Sequence, residues 1–168
     1  INFRLVAFPN EWRKARVGAS QSRRGQVSAR SERYRIFFQT LIDELRSNHN
    51  FTRATKAQAQ SWYSFASGVS GVSYGGAFNR GGQAHVDVYI DKGEAEPNKK
   101  LFDDLHSVAQ QIEAEIGEQL LWERLDHRRA SRIALKRSAS IDDDQDSLKR
   151  VAGLDAGSLA EVQGSIWT

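Results

Sequence analysis

The sequence has 168 residues, no cysteine and a formal net charge of +3 at pH 7. The absence of cysteine excludes disulfides, thiolate catalysis and cysteine metal sites. No apolar run approaches the roughly 20 residues that span a bilayer, and no charged-then-apolar leader is present, so we expect a cytoplasmic protein without a membrane partner.

Basic residues are concentrated in the N-terminal third. The first 60 residues hold 12 Lys and Arg against 4 Asp and Glu, whereas the remaining residues hold 12 against 17. Such a segment is attracted to phosphate groups, and salt screens that attraction. A solvated linker, or a strip that pairs with the acidic half, explains the same pattern. The candidate nucleic-acid contacts in this segment are Arg13, Lys14, Arg16, Arg23 and Arg24.

The chain divides into three predicted segments. Residues 1–30 form a basic N-terminal strand and arm, with a short strand over Ile1–Phe8 and mostly loop from Asn10 to Ala29. Residues 31–140 form an α+β core domain. Residues 141–168 form an acidic linker and a weakly structured C-terminal tail. The glycines that interrupt this tail are Gly153, Gly157 and Gly164.

The core domain begins with a helix and continues with strands. Ser31 is a suitable N-cap, and apolar residues recur at helical spacing as far as Leu45. From Trp62 the period changes to two, in "SWYSFASG", "VSYGGAFN" and "AHVDVYID". The glycines of "RGGQ" predict a hairpin turn between the last two strands. In the last strand Val86 and its alternate neighbours form one face, and His85, Asp87 and Tyr89 form the other.

A second helix gives the strongest periodic signal. We expect Pro97 and Asn98 to open it, with Asn98 as the cap, and Gly117 to end it in the left-handed conformation. One apolar stripe then continues over about five turns of a single helix. Its members are Leu101, Phe102, Leu105, Val108, Ala109, Ile112 and Ile116.

The stretch "LLWERLDHRRASRIALKR" predicts a hairpin. "LLWERL" and "SRIALKR" alternate, and "DHRRA" is a short polar connector between them. The domain is therefore predicted to be α+β, an antiparallel sheet in α-β-β-α-β-β order with helices packed on one face. Basic residues concentrate on this hairpin, and the candidate nucleic-acid contacts are Arg124, Arg128, Arg129, Arg132 and Lys136.

The chemistry of a metal-dependent nuclease is not encoded in a recognisable form. Restriction-type nucleases place an acidic residue two positions before a lysine, and no lysine in this sequence has that neighbour. Asp87 could hold a metal from the exposed face of its strand, but no second ligand follows at a fixed spacing. We therefore assign no catalytic residue, no metal ligand and no cofactor, and we leave open whether the chain is an enzyme, with a non-catalytic role expected.

Several aromatic residues lie near basic residues or on polar strand faces. These aromatic residues could stack on nucleic-acid bases while the arginines contact phosphates. They are Trp12, Trp62, Tyr63, Tyr74 and Tyr89. The alternative is that Trp62 and Trp122 belong to the core and that the arginines form a solvated rim.

Three motifs taken together resemble a known family. "AHVDVYID", the segment "LFDDLHSVAQQIEAEIGEQLLWERLDHRRASRIALKR" and the following "IDD" are similar to the bacterial domain-of-unknown-function family 4268. The resemblance covers Ile1 to Asp144, and the opening "INFRLVAFPNEW" is similar to the junction where this domain follows an upstream one. The resemblance implies the downstream, non-catalytic half of a protein whose upstream part is like a restriction endonuclease. No catalytic residue is carried over.

The sequence therefore predicts a non-catalytic, nucleic-acid-associated accessory module of a bacterial defence or DNA-processing protein, with DNA or RNA as partner. The alternative is a protein-interaction or dimerisation module that forms a homodimer or binds a partner protein through a sheet face or edge strand. A metal-dependent hydrolase is the third hypothesis.

Overall fold

The computed structural model of the protein describes the backbone of residues 11–166 and the side chains of residues 28–166. The expected strand over Ile1–Phe8 lies outside the described residues. The elements, in chain order, are α1 (Glu11–Ser47), β1 (Trp62–Ala66), β2 (Val72–Asn79), β3 (Gln83–Ile90), α2 (Ala95–His106), α3 (Ala109–Ile116), β4 (Leu121–Glu123), β5 (Ser131–Ser138) and α4 (Gln145–Ile166).

The strands form one antiparallel sheet in the order β1-β2-β3-β5-β4. The predicted α+β class and the interleaving of helices with strands are confirmed. The expected hairpin at "RGGQ" joins β2 to β3, and Gly81 and Gly82 have φ values of 90° and 73°. Glycine occupies this left-handed region without the steric cost that a Cβ brings, which explains why the turn forms here.

The core lies between one face of the sheet and the helices. A Cβ added to Gly76 of β2 would contact Phe38 and Leu41, so α1 packs on this face. Phe102 of α2 contacts Trp122, and Leu159 of α4 lies beside Val86, Leu135 and Ile133. Alternate strand residues point to this face, and the predicted burial of Val86, Val88 and Ile90 on it is confirmed.

The prediction of a loop from Asn10 to Ala29 is wrong. From Glu11 onward this segment is helical and continues without a break into the predicted core helix, which makes α1 37 residues long. The segment lacks proline, and Arg and Ala, which favour helix, are among its commonest residues. Apolar periodicity reports a buried face rather than helicity itself, so a helix can form in a segment that lacks this periodicity.

The predicted second helix is divided into α2 and α3. Ser107 and Val108 separate them, and the backbone N–H of Val108 donates to the carbonyl oxygen of Leu105 at 3.2 Å, three residues back. Asn98 is not the N-cap, because Glu94 holds that position. Gly117 does end α3 with φ of 73°, as expected.

The C-terminal tail is an ordered helix, so the expectation of weak structure there is wrong. Asp144 caps α4 by accepting from the backbone N–H of Ser147 at 2.9 Å. The glycines have no neighbour within 4 Å at the position of an added Cβ, so they lie away from the packed stripe. Burial of that stripe offsets the roughly 1 kcal/mol that each helical glycine costs relative to alanine. Its buried apolar residues are Leu148, Ala152, Ala156, Leu159, Val162 and Ile166.

Across the described residues, none of the helices combines the length and the apolar character that a membrane crossing requires.

Candidate nucleic-acid interface

Most arginines of the hairpin are paired with carboxylates. Arg124 makes a bidentate pair with Asp103, with Nε to Oδ1 at 2.8 Å and Nη2 to Oδ2 at 3.0 Å, and it also contacts Asp126. These hydrogen bonds raise the pKa of Arg124 and lower the pKa of Asp103. The guanidinium charge of Arg124 is therefore balanced within the domain.

Two further candidates have carboxylate partners as well. Arg129 donates from Nη2 to Oδ2 of Asp91 at 2.6 Å, and Arg132 donates from Nε to Glu123 across the β4–β5 pair. The hydrogen bond from Arg132 is the main cause that lowers the pKa of Glu123. The pair of Arg132 with Glu123 lies across β4 and β5, and together these ion pairs weaken the hairpin's attraction for phosphates.

Arg128 and Lys136 are different. Both are exposed, and neither makes an ion pair with any of the residues whose side chains the structure describes. They lie on separate parts of the hairpin, since Arg128 is in the connector and Lys136 is on β5 opposite His85. Two of the five hairpin candidates thus keep a charge that a phosphate could use.

The connector between β4 and β5 is held by Lys99, which the sequence analysis did not name, and by Asn98, which it named only as a helix cap. The ammonium group of Lys99 donates to the carbonyl oxygens of Leu125 at 3.0 Å and Ala130 at 2.7 Å, and to the hydroxyl of Ser131 at 3.1 Å. Asn98, which is fully buried, joins the backbone N–H of Lys92 to the carbonyl of Arg129. These two residues stand in "PNKK", which the sequence analysis interpreted only as the start of a helix.

Arg137 lies on the face of β5 that packs against α4, and Lys136 lies on the other face. It donates to Glu118 from both terminal nitrogens at 3.0 Å and from Nε to Asp155 at 2.8 Å. Burial raises the pKa of Asp155 to about 6, although the hydrogen bond from Arg137 opposes that shift. Hydrogen bonds from Arg137 lower the pKa of Glu118. This network packs β5 against α4 and is not available to a ligand.

The arm candidates Arg13, Lys14, Arg16, Arg23 and Arg24 are brought onto one element, the N-terminal part of α1. Their side chains lie outside those that the structure describes. At 3.6 residues per turn, positions 13, 16, 23 and 24 fall within an arc of about 100°, whereas position 14 falls outside it. These four positions, all arginine, are called the α1 basic stripe, and they extend over about 17 Å of helix axis at 1.5 Å per residue. Arg30, further along the helix, is paired with Asp142 at 3.3 Å.

The second face of the sheet has no helix packed against it among the described elements. Strand register places Trp62 beside Ala77, and Ala77 beside His85, in one row across the sheet. In the next rows Ser64, Gly75 and Asp87 are neighbours, and then Ser73 and Tyr89. The residues on β2 are small, so β2 forms the floor of a depression of about 230 Å³, here called the sheet trough, with walls from β1 and β3.

The trough contains both exposed aromatic and nearly buried polar groups. Trp62 is 54% exposed and Tyr89 is 41% exposed, so the expectation that Trp62 belongs to the core is wrong. Trp122 is half-buried, and its indole N–H donates to Glu113 at 3.0 Å. His85 Nε2 lies 3.5 Å from Oδ2 of Asp87, and its Nδ1 lies 3.0 Å from the amide nitrogen of Asn79. Asp87 therefore has one histidine as neighbour, and within residues 28–166 no cluster of three metal-ligating side chains occurs.

The comparisons with known proteins give one result. Neither the curated proteins nor the solved structures include a match to this chain. Residues 33–150 match the model of the family described as "Domain of unknown function (DUF4268)", so the chain belongs to that family.

Proposed function

We propose that this chain is a non-catalytic, nucleic-acid-associated module of a cytoplasmic bacterial defence or DNA-processing protein, and that α1 supplies its main phosphate contacts. The observation that carries the proposal is the α1 basic stripe. Four arginines that lie in the predicted loop occupy one side of a continuous helix. A helix of this kind can lie along a phosphate backbone or enter a major groove.

The hairpin takes a smaller part in this proposal. Because Arg124, Arg129 and Arg132 are paired with carboxylates, Arg128 and Lys136 are the two hairpin candidates that add phosphate contacts in this proposal. The proposed location downstream of a restriction-endonuclease-like part rests on the sequence resemblance, and it agrees with the absence of an acidic residue two positions before any lysine.

The proposal is tested with a double variant of the stripe, Arg16→Ala with Arg23→Ala. Removing two phosphate contacts should lower the affinity for a 20-base-pair DNA duplex about 10-fold or more at 100 mM salt, and it should reduce the slope of log K against log salt by about 1.8. Fluorescence anisotropy measures both quantities.

The matched control is Arg53→Ala with Lys56→Ala, which removes the same charge from exposed positions between α1 and β1. If the stripe variant and this control variant lose affinity equally, the attraction comes from net charge alone and the role proposed for α1 is wrong.

An interaction module is the second candidate, favoured by the free outer edge of β1. β1 pairs with β2 on one side, and no described strand pairs with its other side. A second copy could add a strand there. Sedimentation equilibrium should then show a dimer at high protein concentration, and a monomer throughout the concentration series would remove this candidate.

A further inference from the structure

The sheet trough has the dimensions of a slot for a flat ring. Its walls stand on β1 and β3, which are two strand spacings, or roughly 9–10 Å, apart. A planar ring in contact with both walls needs about 7 Å, twice a normal contact distance of about 3.5 Å. The small side chains of Ser73 and Ala77 leave the floor open between the walls.

The carboxylate of Asp87 extends over this floor. Its Oδ1 lies less than 3.0 Å from the position that a Cβ at Gly75 would occupy, so a larger residue there would displace the carboxylate. The side chain of Asp87 is 12% exposed. Among the described residues it lies 3.5 Å from His85 and its charge helps raise the pKa of Arg132, and a carboxylate can accept about four hydrogen bonds. Most of its acceptor positions therefore remain for a ligand.

His85 is held with its proton toward Asp87. The amide nitrogen of Asn79 can only donate, so Nδ1 of the neutral imidazole accepts and Nε2 carries the hydrogen. The trough thus presents an acceptor pair from Asp87 and an exposed ring from Trp62. Lys136, which has no ion-pair partner in the described part of the chain, lies next to His85 on β5.

We propose that the sheet trough binds a guanine base of a single-stranded nucleic acid. This inference rests on the function proposed above and names the base class that the sheet face would select. Guanine carries two adjacent donors, N1–H and the 2-amino group, which match the two oxygens of Asp87. The base stacks on Trp62 while Lys136 meets a flanking phosphate.

An arginine side chain of a protein partner would also match the carboxylate. The observed charges favour the nucleic acid, because the β5 rim of the trough carries the cation of Lys136, which repels an arginine-rich peptide and attracts a phosphate.

The test uses the full chain and 12-residue thymidine oligonucleotides with one central guanine, inosine or adenine, measured by fluorescence anisotropy. The guanine oligonucleotide should bind about 10-fold more tightly than the other two, because inosine lacks the 2-amino donor and adenine lacks N1–H. Asp87→Asn should abolish this ratio. Trp62→Ala should weaken binding of all three about equally, by about 5-fold or more. Leu121→Ala, on the same sheet face outside the trough, is the control and should change neither quantity.

Equal affinities of the wild-type chain for guanine and inosine would overturn the inference, and this comparison does not depend on any variant folding. Direct binding of a short arginine peptide to the wild-type chain, tighter than that of the guanine oligonucleotide and lost in Asp87→Asn, would also overturn it and assign the site to a protein partner. If the duplex still binds through α1 while the guanine ratio is 1, the trough inference fails and the proposed function stands. If no nucleic acid binds, both fail.

Discussion

Asn98 shows how much of the hairpin depends on one buried amide. Its Oδ1 accepts from the backbone N–H of Lys92 at 2.7 Å and its Nδ2 donates to the carbonyl of Arg129 at 3.0 Å. Asn98→Ala leaves both backbone groups without this partner, and we expect a loss of about 2–3 kcal/mol in the free energy of unfolding. Urea denaturation measures it. The exposed neighbour Lys100→Ala should cost less than about 0.5 kcal/mol, and an equal cost at both positions would contradict the account.

Asp155 makes stability depend on pH. Its pKa is about 6 in the folded chain against an ordinary value of 3.8, because burial disfavours the carboxylate. Between pH 4 and 6 the folded state therefore holds a proton that the unfolded state releases, so this group's contribution to stability falls as pH rises, by up to about 3 kcal/mol. Asp155→Asn should remove that dependence, and Glu161→Gln, on the exposed side of α4, should keep it. Urea midpoints at pH 4.5 and 7 measure the difference between the variants; a constant difference would refute the prediction.

At the scale of elements, the sequence predicted what local pattern encodes. Alternation identified β3 and β5 and placed Asp87 on the outer face, and the paired glycines identified the β2–β3 turn. The N-terminal part of α1 was missed, because its sequence shows no apolar period.

The remaining errors have tertiary causes. α4 was missed because its three glycines disfavour a helix, and the apolar stripe that stabilises it does so only by packing in the core. The sequence pattern could not predict the ion pairs of the hairpin arginines, because Asp91 and Asp103 are 38 and 21 residues from the arginines that they contact. The trough depends on strand order, which places small residues of β2 between Trp62 and Asp87.

At the scale of the whole molecule, folding separates the charges into two regions. The acidic half of the sequence neutralises the hairpin through pairs such as Arg124 with Asp103, while the positions of the α1 basic stripe lie in a segment with Glu11 as its only acidic residue up to position 31. The excess positive charge is therefore concentrated along one helix, and phosphates should approach the molecule there.

The salt dependence of binding by the unmodified chain tests this central claim most directly. If the four arginines of the α1 basic stripe contact phosphates, log K for a 20-base-pair duplex should fall with log salt at a slope of about −3 to −4 between 50 and 300 mM. No detectable binding at 50 mM salt, or an affinity that does not change across the series, would contradict the account.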